Sequence, residues 1–482
     1  RNAGTVDLAV TILHATGDFV ERDPVLWLEG GPGASALIVA DTNRKIVAQV
    51  REHRDVILYD QRGAGYSGYL ECGAYQSEAV QAAAAAGTPY PGPLDADAGA
   101  DEIYDYAMRS AAPGYPECWD GYAAEGIDLS QYNTETIARD SIEVLTALGY
   151  DTATLWGTSY GGRVAMAIMR AFPERVRAAV LDSPLPLGIR RLSQFVELEV
   201  EPAAHLFAWC AGNTECNVAY PNLEARTLDL IATLNEKPIR VSSDDAGKAG
   251  LRGGFDGTAL VRLLTTSLPN NPLIAGAIPR AIADLENGDA DVAIALLAGT
   301  YPPPIERDIP PSLTDTSFAT LNVPTDTRLA LSLAMRTFVL CNDEAAAVTL
   351  DDISAANENA PLSALRTATP YRSSVTLFAQ CQALGIETEP LSTQPPTAEI
   401  PTLVLSGDYD ATTAPSWAKE AADALPDATL VSVPSAGHAT ARWSECARDI
   451  ASAFVENPTA TLDTRCLTGE EPVLLKPNES IS

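Results

Sequence analysis

A serine hydroxyl becomes a nucleophile only where the backbone lifts it clear and a base stands beside it. Gly157-Thr158-Ser159-Tyr160-Gly161 offers the first of these conditions, because it fits G-x-S-x-G, follows the apolar run Ala153-Thr154-Leu155-Trp156 and precedes the helical spacing Val164, Ala165, Ile168 and Met169. Strand, tight turn and helix in that order place the serine of such an elbow at a helix N-terminus, and Ser159 is the candidate nucleophile. The base must come from four histidines. His14 sits in a strand-like alternation, His53 in the charged stretch Arg51-Glu52-His53-Arg54, and His205 beside Leu206-Phe207, where a packed or solvated helix histidine is the ordinary reading. His438, in Ser435-Ala436-Gly437-His438 directly after the last apolar run, is the candidate base. An acid must then orient it, and Asp182, Asp408 and Asp410 lie at strand ends. Asp410 is preferred, since the turn at Gly407 leaves it at the loop tip and the chain order serine, acid, histidine suits the elbow. Asp408 would then be an N-cap or loop-stabilising residue, and Asp182 a capping residue at the junction with the inserted region that follows it. For a tetrahedral oxyanion, Gly30-Gly31-Pro32-Gly33 offers a backbone free of side chains, so Gly31 and the N–H of Tyr160 are the expected donors.

These residues need a frame, and the chain supplies six short apolar runs, each ending in a loop of small or polar residues. They are Val25–Leu28, Val56–Tyr59, Ala153–Trp156, Ala178–Leu181, Thr402–Leu405 and Leu430–Val433. Between the second and third, Thr134 to Leu148 has helical spacing with Asn133 or Thr134 as N-cap and Gly149 as the stop. Strands alternating with helices imply an α/β fold, a mostly parallel sheet with helices on both faces. The rhythm disappears after Pro186 and resumes at Ile400. Residues 187–396 therefore read as a large, mainly helical cap inserted after the sixth strand, with helices such as Ile278–Leu285 and Thr327–Val339. Residues 1–186 and 397–482 read as the core domain. Pro302-Pro303-Pro304 and Gln394-Pro395-Pro396 read as stiff connections, and Ala82–Ala86 with Pro89-Tyr90-Pro91 as a surface loop or short exposed helix.

Composition narrows the partners. The 482 residues carry 64 acidic against 32 basic side chains, a formal charge of −32 that repels nucleic acid and anionic lipid. No run reaches the ~20 apolar residues of a membrane span. Eight cysteines, an even number with no C-x-x-C pair, argue for disulfides rather than zinc, and so for an oxidising compartment. Pairing sequence neighbours gives Cys72–Cys118, Cys210–Cys216, Cys341–Cys381 and Cys446–Cys466, with buried free thiols as the alternative. The chain opens at Arg1 with neither methionine nor leader, which points to a removed N-terminal segment and a secreted or otherwise extracytoplasmic location. No metal or cofactor is called for.

Taken together, Gly30–Gly33, Asp60-Gln61-Arg62-Gly63-Ala64-Gly65-Tyr66-Ser67, Gly157–Gly162, Gly407–Thr413 and Gly437-His438 resemble the prolyl aminopeptidase and tripeptidyl aminopeptidase family of α/β hydrolases, the extracellular bacterial tripeptidyl branch above all. The resemblance implies the α/β-hydrolase fold and a serine exopeptidase that releases short pieces from the free N-termini of peptides. Glu29 departs from the histidine usual before the glycines in prolyl members, which weakens the implication of a strict proline preference. In this family carboxylates of the cap bind the substrate ammonium. Glu197 with Glu201, a like-charge i,i+4 pair that costs stability in an ordinary helix, and Asp343 with Glu344 are the candidates; a solvated acidic face is the alternative for either. A carboxylesterase acting on small esters would use the same triad.

Overall fold

The computed structural model describes residues 5–41, 43–86, 94–95, 98–301, 327–477 and 479. Nine strands are numbered in chain order: β1 (Val10–Leu13), β2 (Val25–Leu28), β3 (Val56–Tyr59), β4 (Ala153–Thr158), β5 (Val176–Asp182), β6 (Ile239–Arg240), β7 (Gly254–Phe255), β8 (Thr402–Gly407) and β9 (Ala428–Val433). Seven of them form one sheet in the order β1-β3-β2-β4-β5-β8-β9. Only β1 runs antiparallel, against β3. From β2 the chain moves to one side for β3 and returns to the other side for β4, so the order reverses between neighbours β2 and β4. Open α/β sheets bind ligands at the carboxyl ends of strands flanking such a reversal. Here Leu28 stands opposite Gly157, which brings the glycine loop after β2 and the serine elbow after β4 side by side.

Alternate side chains of the central strands feed two faces. Leu26, Leu28, Leu155, Leu181 and Val404 join helices Thr134–Ala147, Tyr160–Ala171 and Pro415–Asp423 on one. On the other, Trp27, Trp156, Val180, Leu405 and Val433 meet helices Arg44–Val50 and Glu445–Glu456. Trp27 and Trp156 stack with ring centroids 5.3 Å apart. Helix Thr134–Ala147 forms for local reasons as well. The Asn133 side chain accepts the Thr136 N–H, and Gly149 adopts φ +83, so that its own N–H reaches Thr146 and that of Tyr150 reaches Leu145.

The cap region leaves the sheet after its fifth described strand, β5, not after a sixth. The chain between β3 and β4 holds helices Gly73–Ala85, Ala100–Ser110, Tyr115–Ala124 and Thr134–Ala147, and no strand among the described residues. Residues from Val200 to Tyr301 bury an apolar cluster of their own that also takes in Tyr409 and Leu475. This part is helical apart from the antiparallel pair β6 and β7. Helix Ile278–Glu286 lies where the spacing put it. The second expected helix begins at Leu333 instead of Thr327, because Ala330–Ser332 pair with Gly33–Ser35 and the Ser332 hydroxyl accepts the Met335 N–H at 3.0 Å. That helix, Leu333–Glu344, sends Met335, Phe338 and Val339 into the cluster on the sheet. Ala82–Ala85 end the exposed helix Gly73–Ala85, while Pro89-Tyr90-Pro91 and Pro302-Pro303-Pro304 lie outside the described residues.

All eight cysteines are joined, as Cys72–Cys118, Cys210–Cys216, Cys341–Cys381 and Cys446–Cys466. The 46-residue separation of the first is worth about 4 kcal/mol in the chain-entropy account of crosslinking. No helix among the described residues is long and apolar enough to cross a membrane.

Candidate active site

Ser159 ends the turn after β4 at φ 58° and ψ −121°, a conformation that L side chains rarely hold, and starts helix Tyr160–Ala171. The elbow closes because Gly161 has no side chain: a Cβ there would stand 1.9 Å from the Leu28 carbonyl oxygen. Gly30 is as tightly placed, its absent Cβ 2.9 Å from that of Ser159. The Ser159 N–H donates to the Asp182 carbonyl at 3.0 Å, and its own carbonyl accepts from Leu185. Neither the Ser159 hydroxyl nor the N–H groups of Gly31 and Tyr160 make a hydrogen bond among the described residues.

His438 and Asp410 are in direct contact. Nδ1 lies 2.9 Å from Oδ2 and 3.2 Å from Oδ1 of the buried carboxylate. Asp410 also accepts N–H groups from Thr412 at 2.7 Å and Thr413 at 3.0 Å, and the Thr413 hydroxyl at 3.0 Å. Burial alone drives the Asp410 carboxyl up, but the His438 charge and these hydrogen bonds outweigh it and hold the group below the usual carboxylate range. For His438 burial pulls down, and the charge and hydrogen bond of Asp410, with the charge of Asp182, raise it above the ordinary imidazole value. Nδ1 is thus tied to the acid. Nε2 makes no hydrogen bond among the described residues.

The end of β5 joins the two halves. The Ser183 hydroxyl accepts the Ala439 N–H at 3.1 Å, and the Ser183 carbonyl accepts the Thr413 hydroxyl at 2.7 Å, so the histidine and acid loops both rest on the residue after Asp182. Asp182 itself is buried, accepts the Ala441 N–H at 3.4 Å and has its carboxyl pushed up to about 6 by burial, against the pull of Arg442 and His438. Asp408 stays outside this group. It accepts the Ser432 hydroxyl and lies 3.2 Å from Nε2 of His205, whose ring meets Tyr409 edge-on. Buried Tyr409 therefore anchors the acid loop in the cap cluster, with His205 as a bracket. His14 and His53 lie away from the group, beside Asp55 and Glu52 respectively.

Glu29 proves to be a brace. Its carboxylate accepts Trp27 Nε1 at 3.0 Å, Asn43 Nδ2 at 3.1 Å and the Gly30 N–H at 3.1 Å, and lies 3.7 Å from the Arg442 guanidinium. Thr413, Ser183 and Glu29 were not singled out for these roles from the sequence. For Thr413 a signal existed, since an aspartate that accepts N–H groups two and three residues on is a standard loop device.

The four cap carboxylates divide. Asp343 accepts the N–H and hydroxyl of Thr134 at 3.1 and 2.6 Å, and Glu344 takes Arg163 on one oxygen at 2.5 Å and the Leu192 N–H on the other at 2.7 Å. Both are buried with a donor on every oxygen, so they face the interior and are not a solvent-facing clamp for an ammonium group. Glu201 starts helix Glu201–Gly212 and accepts the Ser416 hydroxyl at 2.5 Å; burial raises its carboxyl, and the charges of Asp410 and Glu197 push the same way. Glu197, half-buried and raised by burial, has no hydrogen-bond partner among the described residues.

Comparison with known proteins bears on the fold. Residues 23–214 match the family described as the alpha/beta hydrolase fold, and residues 369–466 match the family described as TAP-like protein. Tripeptidyl aminopeptidase from Streptomyces lividans is 33% identical over 183 residues, which is 37% of this chain and 32% of that protein. Serine protease Hip1 from Mycobacterium bovis is 27% identical over 228 residues, 43% of this chain and 38% of its own. The chain thus spans about a third of the length of the curated relatives it matches. Among solved structures, proline iminopeptidase from Mycobacterium smegmatis aligns over 95% of this chain and 96% of its own at 16% identity and a TM-score of 0.38, too distant to bear on activity. On these matches, the chain has the α/β-hydrolase fold and is similar to the tripeptidyl aminopeptidase group of serine peptidases.

Proposed function

We propose that the protein is a serine exopeptidase that removes short pieces from the free N-termini of peptides through an acyl-enzyme. Ser159 Oγ attacks the scissile carbonyl carbon and passes its proton to His438 Nε2, while Asp410 holds the imidazole tautomer and steadies the imidazolium. The unpaired N–H groups of Gly31 and Tyr160 receive the oxyanion. When the C–N bond breaks, His438 returns the proton to the leaving amine. Water then attacks the acyl carbon as His438 takes its proton, and His438 passes that proton to Ser159 Oγ as the acyl–oxygen bond breaks and the N-terminal piece leaves. Residues 1–186 and 397–482 carry this chemistry, and 187–396 restrict access to it.

The observation that carries the exopeptidase reading over simple ester hydrolysis is the carboxylate pair Glu197 and Glu201, of which Glu201 heads a cap helix within electrostatic reach of Asp410 and Glu197, one turn earlier, has no hydrogen-bond partner among the described residues. Such a pair suits a substrate ammonium. Four disulfides support a secreted or extracytoplasmic location. The test is a panel of fluorogenic amides with one, two or three residues and free or acetylated amines, run beside a short-chain ester. The expected result is hydrolysis of free-amine peptides and its loss on acetylation. Equal rates with free and blocked amines, or turnover of the ester alone, would put a carboxylesterase in its place.

A further inference from the structure

A cavity of about 430 Å³ opens between helices Leu333–Glu344 and Ala368–Leu384 and the segment Arg191–Phe195. Its lining contains three arginines, Arg191, Arg336 and Arg372, and no acidic residue. In a chain of net charge −32 that is a local inversion of sign. Other buried or half-buried guanidiniums either have carboxylates, as Arg163 has Glu344, Arg62 has Asp140 and Arg54 has Asp23, or bond to backbone carbonyls, as Arg190 does to Leu391 and Arg448 to Ala441. Arg191 and Arg336 have neither an ion pair nor a side-chain hydrogen bond among the described residues. Arg372 donates to the Asp95 carbonyl, and its Nε is buried without a partner.

Holding unpaired like charges together in a partly dry cavity is unfavourable. Arg191 shows it: burial, then the charge of Arg336, brings its pKa down to about 9, although the guanidinium rests 4.1 Å over the Phe195 ring. A carboxylate between the guanidiniums would remove that cost and gain charge-assisted, forked hydrogen bonds. The space is far more than the ~30 Å³ share of one water, so it admits an organic acid rather than a bare ion. Thr369, Thr376 and Gln380 add polar contacts, and Leu333, Leu377 and Phe195 an apolar wall for a short carbon skeleton.

A short stretch of chain ties one wall of the cavity to the glycine loop after β2. Leu331 Cδ1 is 3.5 Å from where a Gly31 Cβ would be, and the Ser332 N–H donates to the Gly33 carbonyl at 2.9 Å. Leu333 on the cavity wall follows two residues after Leu331, at most roughly 7 Å of chain.

We propose that this pocket binds the carboxylate of a small organic acid, supplied either by an acidic side chain or C-terminus of a bound peptide or by a free dicarboxylate. Carboxylate binding does not depend on the peptidase reading; only the first of its two sources does. Glutarate is the probe, with neutral glutaramide as control and sodium chloride holding ionic strength constant. Glutarate should raise the thermal midpoint of the wild type and glutaramide should not. Arg191→Gln and Arg336→Gln should each weaken glutarate binding at least tenfold in calorimetric titration, with partial recovery in Arg336→Lys, which also serves if a glutamine variant does not fold. A parallel arm compares tripeptide amides carrying glutamate at one position with their all-alanine parent. A tenfold loss of kcat/KM in Arg336→Gln confined to the glutamate substrates assigns the pocket to the peptide; unchanged ratios with glutarate binding lost assign it to a free acid. If glutarate protects neither protein, or protects wild type and variants alike, and glutamate substrates respond no differently from alanine ones, the proposal falls. Should no peptide amide be turned over at all, the glutarate arm still decides it.

Discussion

Two clusters of buried charge lie in this chain, and they differ in what is left over. In the Arg163, Asp343 and Glu344 group every carboxylate oxygen has its donor, Thr134 twice on Asp343, Arg163 and the Leu192 N–H on Glu344, and what is left over is a single guanidinium N–H, at Arg163 Nε. In the Asp410 and His438 group the carboxylate is equally saturated, yet the other imidazole nitrogen, the Ser159 hydroxyl and two backbone N–H groups have no partner among the described residues. Burial is common to both. A saturated cluster ties remote segments of chain together, whereas one with open hydrogen-bonding capacity can exchange a proton with a substrate.

The largest effect that would break this contrast is on Ser159. Ser159→Ala should cost on the order of 10⁶ in kcat and leave the unfolding midpoint unmoved, because its hydroxyl bonds to nothing; a rate within tenfold of wild type would remove it as nucleophile. Asp410→Asn should cost on the order of 10⁴ by allowing the wrong histidine tautomer. Asp408→Asn should cost far less, since that carboxylate faces His205 and Ser432. The reverse ranking, read from kcat/KM, would give the acid's role to Asp408. On the saturated side the loss should appear in stability. Glu344→Gln leaves Arg163 buried without its counter-charge, an expected loss of about 3–5 kcal/mol in denaturant unfolding, with kcat of the folded fraction unchanged. A stable variant that no longer prefers free amines would show that the cluster has a role beyond architecture.

The contrast also explains what the sequence made legible. The parallel strands announce themselves because apolar runs ending in glycine or aspartate are local signals, and β2 and β3 span the same residues as their runs. The elbow is local too, a five-residue pattern with its strand and helix attached. Asp343 and Glu344 are the opposite case. Nothing within several residues of them shows that their donors, Thr134, Arg163 and Leu192, lie 152 to 209 positions away, so adjacent acids look like a candidate clamp. Helix Leu333–Glu344 misleads for a related reason: Ala330–Ser332 have helical neighbours but are claimed by the glycine loop, some three hundred residues earlier. The arginine cavity is illegible in the same way, since Arg191, Arg336 and Arg372 meet only once the chain has folded.

A smaller effect sharpens the comparison within the cap carboxylates. Neutralising Glu197 and Glu201 to glutamine should weaken free-amine peptides by about 1.5–3 kcal/mol in kcat/KM, the worth of hydrogen bonds to a charged group, and barely touch an ester without an amine. Asp244 with Asp245, changed to asparagine, is the control for a general field from net charge. Such a field predicts similar small losses from either pair that vanish at high salt, and that outcome would return both glutamates to the solvated surface.

The smallest effect concerns Asp182, which belongs to neither kind of cluster. It is buried like Glu344, but one oxygen has no partner and the other faces the backbone N–H groups of Ala441, at 3.4 Å, and Thr440. Burial holds its carboxyl at about 6, above the ordinary 3.8, so near neutral pH it carries a charge that helps to raise His438. A raised His438 stays protonated, and idle as a base, to higher pH. Asp182→Asn should therefore move the acid limb of the kcat/KM profile downward by less than about one pH unit, one unit being 1.36 kcal/mol. The stability consequence has a definite sign. Between 3.8 and about 6 the folded state holds this proton more tightly than the unfolded chain, so the Asp182 contribution to stability falls as pH rises through that window. Asparagine has no proton to lose. Wild type should lose stability relative to Asp182→Asn between pH 4 and 6, followed by denaturant midpoint, and the acid limb should shift in the same variant. A limb that stays in place while the stability difference appears would mean that His438 takes its raised pKa from Asp410 alone.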